Sequence, residues 1–289
     1  METNNLQTFI VAAKENSFSL AAERLYLTQP AVSKRIATLE NELGARLFDR
    51  IGRRVSLTEA GREFLPRAQS ILCDIDDSRR LILNLTGSVT GRLSIGTSHH
   101  IGLHRLPPVL KKFSKTYSEV QLDLQFMDSE AACRAVQTGA LELGIVTLPL
   151  EPLADLKSQL IWPDPLVIVV GNEHPLVEKS PLTVQQLTEL PAILPSPGTY
   201  TRQLLERSVA KAGGKLKASM TTNYLETIKM MVVVGLGWSV LPRSMLNEDL
   251  KTLTVKRITL DRRLGIVSHR ARTLSNAARA MVDIVQLLR

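Results

Sequence analysis

The chain has 289 residues, 44% hydrophobic and 22% charged, enough for a small globular domain beside a larger one of about 200 residues. Its two cysteines, Cys73 and Cys133, form no CxxC pair, which argues against a disulfide scaffold and a structural zinc site, and its longest uncharged apolar run, Met230–Pro242, is too short to cross a bilayer. The net charge of +8 suggests an anionic partner without locating it: residues 1–90 carry 12 basic and 11 acidic side chains, but within residues 24–54 seven basic residues face only Glu40, Glu42 and Asp49.

The stretch METNNLQTFIVAAKE lacks a basic leader region, so no signal peptide is read and a cytosolic protein is expected. Leu6, Phe9, Ile10 and Ala13 recur at helical spacing and predict a first helix ending near Glu15. SFSLAAERL predicts a second, capped by Ser17 or Ser19, with Leu20, Ala21 and Leu25 on its apolar face. In LTQPAVSKRIATLE, Thr28 can cap a third helix whose first two positions are Gln29 and Pro30. Proline costs little there, because early helix N–H groups have no intrahelical partner. Val32, Ile36, Leu39 and Leu43 form one buried stripe, leaving Gln29, Pro30, Ser33, Lys34 and Ala37 on the other side.

Two short helices, a three-residue turn and an outward row of Gln, Ser and Lys fit a helix-turn-helix whose second helix enters the major groove. Gln pairs with adenine, Ser with several bases and Lys with guanine or a phosphate, while Thr28 and the N–H groups around it suit a backbone phosphate. GARLFDRIGRRVSLT then reads as two short strands with Arg50, Arg53 and Arg54 at the tip, a basic wing. Alone, such a hairpin is as readily a solvated surface turn; its place beside the helix-turn-helix favours contact with DNA.

The segment SFSLAAERLYLTQPAVSKRIATLENELGARLFDRIGRRVSLTEAG resembles the winged helix-turn-helix signature of LysR-type transcriptional regulators in order, spacing and residue type over more than forty positions. The resemblance implies a bacterial, cytoplasmic and nucleoid-associated regulator of the α/β multi-domain class. It would have a winged helix-turn-helix over 1–58, a linker helix over 59–86 and a ligand-sensing domain over 87–289. The expected DNA contacts are Thr28, Gln29, Pro30, Ser33, Lys34, Arg50, Arg53 and Arg54.

From Thr58 to about Leu85 there is no turn signal, and Phe64, Ala68, Ile71, Ile75, Ser78, Ile82 and Leu85 alternate in steps of four and three. That is a heptad seam suited to pairing with a second copy, the alternative being a helix packed on its own domain. Pro66 should either kink this helix or mark its effective start. A dimer would set two recognition helices about 34 Å apart and demand double-stranded promoter DNA with inverted-repeat half-sites. A tetramer and a contact with RNA polymerase are further implications of the resemblance. TGSVTG is the hinge to the next domain.

Beyond the hinge, strands are predicted at Arg92–Thr97, Val120–Phe126, Leu143–Val146, Leu166–Gly171, Ala192–Leu194, Ala218–Thr221, Gly237–Leu241 and Leu264–His269. Helices are predicted near Gly102–Thr116, Glu130–Thr138, Thr199–Lys211, Leu225–Val234 and Ser275–Leu288. Such alternation indicates parallel sheets covered by helices. This part is similar to the LysR-type effector domain, a relative of periplasmic binding proteins. The similarity implies two α/β subdomains, about 92–161 with 269–289 and about 162–268, crossed near Trp162–Leu166 and Leu264–His269, with a cleft between them.

Ligands of open α/β sheets bind at the carboxyl ends of strands. Thr97, Ser98, His99 and His100 follow the first strand, Met127 and Asp128 the second and Thr147 the third; Pro195, Ser196, Thr199 and Tyr224 lie across the cleft. By family resemblance the inducer contacts are Thr97, Ser98, His99, His100, Met127, Thr147, Pro195, Ser196, Thr199 and Tyr224, with hydroxyls and helix N-termini favouring a small organic anion.

His99, His100 and His104, followed by Arg105, admit three readings. His100 and His104 stand four apart on a helix and could hold a metal, but no third ligand is evident, so no metal is expected. His99 or His100 could donate to an anionic inducer and make its affinity depend on pH. They could also be solvated or structural histidines. A redox role for Cys73 or Cys133 competes with that of an ordinary buried or semi-buried thiol.

No G-x-S-x-G, Walker A, HExxH or Rossmann glycine triplet is present, and no paired carboxylates stand out, so an enzyme is not expected and no catalytic residues are named. No cofactor is expected beyond the small-molecule inducer, and no membrane partner. A solute-binding transport protein is disfavoured by residues 1–58, and a purely architectural DNA protein would have no need of the cleft loops.

Overall fold

The computed structural model describes every residue except Gly52, Arg53, Thr86 and Lys179; the side chains of Arg50, Ile51, Arg54 and Leu83 are likewise outside the described set. It divides into two compact units, Met1–Thr86 with Thr138–Ala140, and Gly87–Gln137 with Leu141–Arg289.

In the first unit, helices α1 (Thr3–Glu15), α2 (Phe18–Leu25) and α3 (Gln29–Leu43) precede an antiparallel hairpin of β1 (Phe48–Ile51) and β2 (Arg54–Leu57), and α4 (Glu59–Asn84) follows. Both α2 and α3 have a side-chain cap at the start. Ser17 Oγ accepts from Leu20 N at 3.3 Å, and Thr28 Oγ1 accepts from Ala31 N at 3.4 Å, with Pro30 in the first turn. Gly44 ends α3 at φ 66°, a left-handed conformation that glycine adopts without steric cost. Phe9, Phe18 and Phe48 centre the core, their rings meeting edge-on at 5.2 to 5.5 Å, with Val32, Ile36 and Leu39 of α3 fully buried against them.

Two expectations change here. Leu20 is exposed, because the face of α2 that packs on the core carries Phe18, Ala21 and Ala22, with Phe18 set edge-on against Phe48. The heptad seam of α4 is also divided. Ala68 is buried and Phe64 and Ile71 pack on the first unit's own core, whereas Ile82 and Leu85 are 68% and 82% exposed. α4 is helical on both sides of Pro66, so the proline does not mark its start.

The second unit runs β3 (Gly91–Thr97), α5 (His99–His104), α6 (Leu106–Thr116), β4 (Val120–Phe126), α7 (Ser129–Gln137), β5 (Leu143–Thr147) and β6 (Leu156–Gly171). It continues through α8 (Val184–Thr188), β7 (Ile193–Leu194), α9 (Tyr200–Lys211), β8 (Met220–Thr221), α10 (Leu225–Val233), β9 (Ser239–Pro242), β10 (Leu250–Leu253), β11 (Asp261–His269) and α11 (Asn276–Leu287). β3 pairs in parallel with β4 and β5, and β7 with β8, but β11 runs antiparallel to β5 and β6, as β9 and β10 do to β6. The expected parallel sheets are therefore mixed ones.

β6 is the element the sequence concealed. It begins at Leu156, not Leu166; residues up to Pro165 pair with β11, and Leu166–Gly171 pair with β9 and β10. Pro163 and Pro165 interrupt the pattern, since proline is disfavoured inside a paired strand. One strand thus serves two hydrophobic cores. Leu93, Ile95, Phe113, Ile145 and Met281 belong to the first, and Ile168, Leu205, Trp238 and Val240 to the second. The expected second crossing at Leu264–His269 falls within β11; the change of core comes earlier, since Leu260 lies in the second core and Leu264 in the first. Among the described residues no helix is long and apolar enough to cross a membrane.

Candidate functional site

In the first unit the exposed face of α3 carries most of the expected DNA contacts. Thr28, Gln29, Pro30 and Lys34 are exposed and Ser33 is half-buried. Gln29 Nε2 donates to Ser33 Oγ at 2.9 Å, so these two polar groups hold each other before any base is met. The Glu40 carboxylate accepts from Leu47 N at 2.8 Å and Phe48 N at 3.2 Å, tying the start of the hairpin to the back of α3. Arg53 and the side chains of Arg50 and Arg54 lie outside the described residues.

In the second unit a cleft opens where the strand ends of the first core meet the helices of the second. Of the ten expected contacts, Ser98, His100, Thr147, Pro195 and Thr199 line it. Thr97 does not: it is fully buried and donates its hydroxyl to the Ile145 carbonyl at 2.8 Å. Met127 packs against the core around Ala132 and Cys133. His99 stacks on Phe126 and meets Tyr224 edge-on at 4.9 Å, while Ser196 N donates to Asn223 Oδ1 at 2.8 Å; His99, Ser196 and Tyr224 are not part of the cleft lining.

The groups that shape the cleft's electrostatics are ones the strand-end rule did not name as contacts. Arg262, almost wholly buried, donates from Nε to Asp164 Oδ2 at 2.8 Å and from Nη1 to Thr201 Oγ1 at 3.2 Å; Asp164 is itself 2% exposed. Asn223 Nδ2 donates to Asp128 Oδ2 at 2.8 Å, and Tyr200 N donates to the Glu130 carboxylate. Two carboxylates carried at the start of α7 therefore hold the starts of α9 and α10 across the cleft. Burial raises the pKa of Glu130, against the Tyr200 hydrogen bond that lowers it. The cavity left between these groups is about 60 Å³.

At the cleft's edge His104 Nε2 lies 2.8 Å from Glu226 Oε1, and His100 Nδ1 lies 4.0 Å from the same oxygen. Neither ring nitrogen of the buried His100 has a hydrogen-bond partner. Burial first, then the positive charge of Arg262, lowers its pKa to about 4. The ring is therefore neutral at pH 7, and it does not supply the cationic donor to an inducer that its loop position suggested. Burial likewise pushes the Cys133 thiol up to about 11, which keeps it protonated and unreactive.

Sequence reasoning had signals for some of what it missed. Asp128 was seen at a strand end, and Glu130 stands two positions further on. Arg262 carried no local mark, because its strand was expected to begin only at Leu264.

Two family models match the chain: a bacterial regulatory helix-turn-helix protein of the lysR family over residues 3–62, and a LysR substrate binding domain over residues 86–288. The HTH-type transcriptional regulator YfeR of Shigella flexneri is 30% identical over 284 residues, covering 97% of this chain and 92% of its own. A regulator encoded in the ibpB-leuC intergenic region of Azotobacter vinelandii is 63% identical over 108 residues, 37% of this chain and 75% of its own. The full-length structure of CbnR complexed with its target DNA shares 19% identity with a TM-score of 0.66, covering 100% of both chains, a likeness of fold.

Proposed function

The chain belongs to the LysR family of bacterial DNA-binding transcriptional regulators, and from that premise we propose that α3 reads promoter DNA while the cleft of the second unit senses a small organic anion. Gln29, Ser33 and Lys34 meet base edges, Thr28 and Pro30 set the entry of α3 at the backbone, and Arg50, Arg53 and Arg54 follow the phosphates. Two copies pair through the exposed end of α4 around Ile82 and Leu85, and the paired helices read an inverted repeat. CbnR, whose fold this chain shares, is seen with its target DNA, which supports the assignment of DNA as partner.

The observation that carries the effector reading is the meeting of three helix starts, those of α7, α9 and α10, with the buried Arg262 in one cleft. Helix N-termini present free N–H groups and partial positive charge, and together they suit a carboxylate. Glu130 and Asp128 already occupy such positions from within the protein. An effector carboxylate displaces Glu130 from Tyr200 N, takes Ser98, Thr147, Thr199 and Thr201 as hydroxyl partners, and changes the grip of one half on the other. Only a difference in its affinity for the two arrangements can move the DNA-binding unit.

The test is a thermal-shift series on the full chain with small mono- and dicarboxylates against their neutral amides. Stabilisation by a carboxylate, absent with its amide and reduced in Thr201→Val, is the expected result. Equal shifts from acid and amide, or none from any carboxylate, would sink the anion assignment.

A further inference from the structure

His100 and His104 are four residues apart on α5, with ring centroids 4.8 Å from each other. From the sequence they lacked a third ligand. Glu226, on α10 and 122 residues beyond His104, supplies it. One ligand atom from each of His100, His104 and Glu226 lies within 4.8 Å of the others.

The three groups differ in how well the protein alone satisfies them. His104 and Glu226 are partly exposed and meet each other at 2.8 Å. His100 is 5% exposed and both its ring nitrogens lack a partner. A buried imidazole with neither a donor nor an acceptor to meet costs free energy, and native proteins keep such groups where something else completes them. Asp164 pairs with Arg262 behind His100 and offsets part of its charge, and the Glu226 carboxylate faces the histidines from the other side.

We propose that His100, His104 and Glu226 form a binding site for a divalent transition-metal ion, with Zn²⁺ the best fit. Two imidazoles and one carboxylate are ligands that Zn²⁺ accepts and that Mg²⁺ and Ca²⁺, which prefer all-oxygen shells, do not. Tetrahedral bonds of about 2.0–2.2 Å set ligand atoms roughly 3.3–3.5 Å apart, so His100 Nδ1 and Glu226 Oε1, now 4.0 Å apart, draw together while His104 Nε2 and Glu226 Oε1, now 2.8 Å apart, open to admit the ion. Three protein ligands leave one tetrahedral position for water or for a donor atom of a ligand in the adjoining cleft. The histidines stand beside the first core and Glu226 on α10, whose Leu225, Ile228 and Val232 pack with Val169, Ile193 and Leu241, so a bound ion clamps the cleft at its edge. The ion is then a second effector, coupled to the first through the closure of the same cleft. This site stands on its own residues and does not depend on the anion reading.

The experiment uses untagged full-length protein treated with EDTA and dialysed free of it, titrated calorimetrically with ZnCl₂ and separately with MgCl₂. Co²⁺ replaces Zn²⁺ for visible spectroscopy. The expected result is one Zn²⁺ per chain, no comparable Mg²⁺ binding, and intense visible bands from four-coordinate Co²⁺. His104→Gln and Glu226→Gln, both at partly exposed positions, should each weaken Zn²⁺ binding by on the order of 100-fold while circular dichroism stays unchanged. Lys229→Gln, on the same helix but outside the cluster, should leave it unchanged. No Zn²⁺ binding, or binding that survives both variants and so resides elsewhere, would overturn the proposal. Loss of carboxylate-dependent stabilisation with Zn²⁺ binding intact would count against the anion reading alone.

Discussion

Asp164 and Arg262 pair at the place where the chain passes from one core of the effector unit to the other, with Arg262 Nε 2.8 Å from Asp164 Oδ2 and both side chains buried. The two residues face each other across the β6–β11 ladder, where Arg262 is the register partner of Asp164. Arg105 adds a weaker contact at 3.7 Å. A buried ion pair contributes little net stability when compared with a well-packed apolar pair, but removing one partner strands the other.

Asp164→Asn should therefore destabilise the effector unit by about 3–5 kcal/mol, because Arg262 stays buried without its counter-charge. Urea unfolding followed by a probe in that unit, such as Trp162 or Trp238 fluorescence, measures it. A loss below about 1 kcal/mol would mean that water reaches Arg262 and solvates its charge.

Glu130 predicts a pH dependence. Its folded pKa is raised above the ordinary 4.5, with burial the main cause. The folded protein thus holds this proton more tightly than the unfolded chain does. The contribution is complete below about pH 4.5 and is lost as pH rises through the folded value. Glu130→Gln imitates the protonated form, so its melting temperature should gain on that of the unchanged protein between pH 4.5 and 7. A difference that stays flat across that range would refute the burial argument.

On the proposed reading of DNA by α3, the hydrogen bond between Gln29 and Ser33 couples their contributions. Gln29→Ala or Ser33→Ala should each cost about 1–3 kcal/mol of specific binding. Their combined cost should fall short of the sum, since the first substitution already frees the second side chain. Arg53→Ala should instead weaken binding to all sequences and reduce the slope of its salt dependence. Affinity measurements on specific and random duplexes at two or more salt concentrations separate these effects.

The divided seam of α4 predicts two different consequences along one helix. Ile82→Asp or Leu85→Asp should convert the dimer to monomer in sedimentation experiments while leaving the first unit's melting intact. Ile71→Asp, on the part packed against Phe9 and its neighbours, should lower that unit's stability instead. Unchanged association in both Ile82→Asp and Leu85→Asp would rule out this end of α4 as the pairing surface.

Much of the first unit was legible because its determinants are local. Caps at Ser17 and Thr28 and the stripe Val32, Ile36, Leu39 each act within one helical turn of their effect. Leu20 was misplaced because the inward face of α2 is set by the packing of Phe18 on Phe48, thirty positions away. In the second unit the alternating strands and helices were readable, but β6 was not, because its pairing with β11 is decided by residues 98 positions apart such as Asp164 and Arg262.

By itself the sequence determined the classes of element, their order, the buried and outward faces of α3 and the loops from which a cleft would be built. These follow from period, capping and turn chemistry, all written in neighbouring residues. The tertiary structure alone decided which groups converge. It set Glu130 on the start of α9, buried Thr97, packed Met127 against the cluster around Cys133, and brought Glu226 to the paired histidines of TSHHIGLHR. Side chains separated by a hundred positions meet only when two hydrophobic cores form and one shared strand sets their register, and no local pattern encodes that meeting.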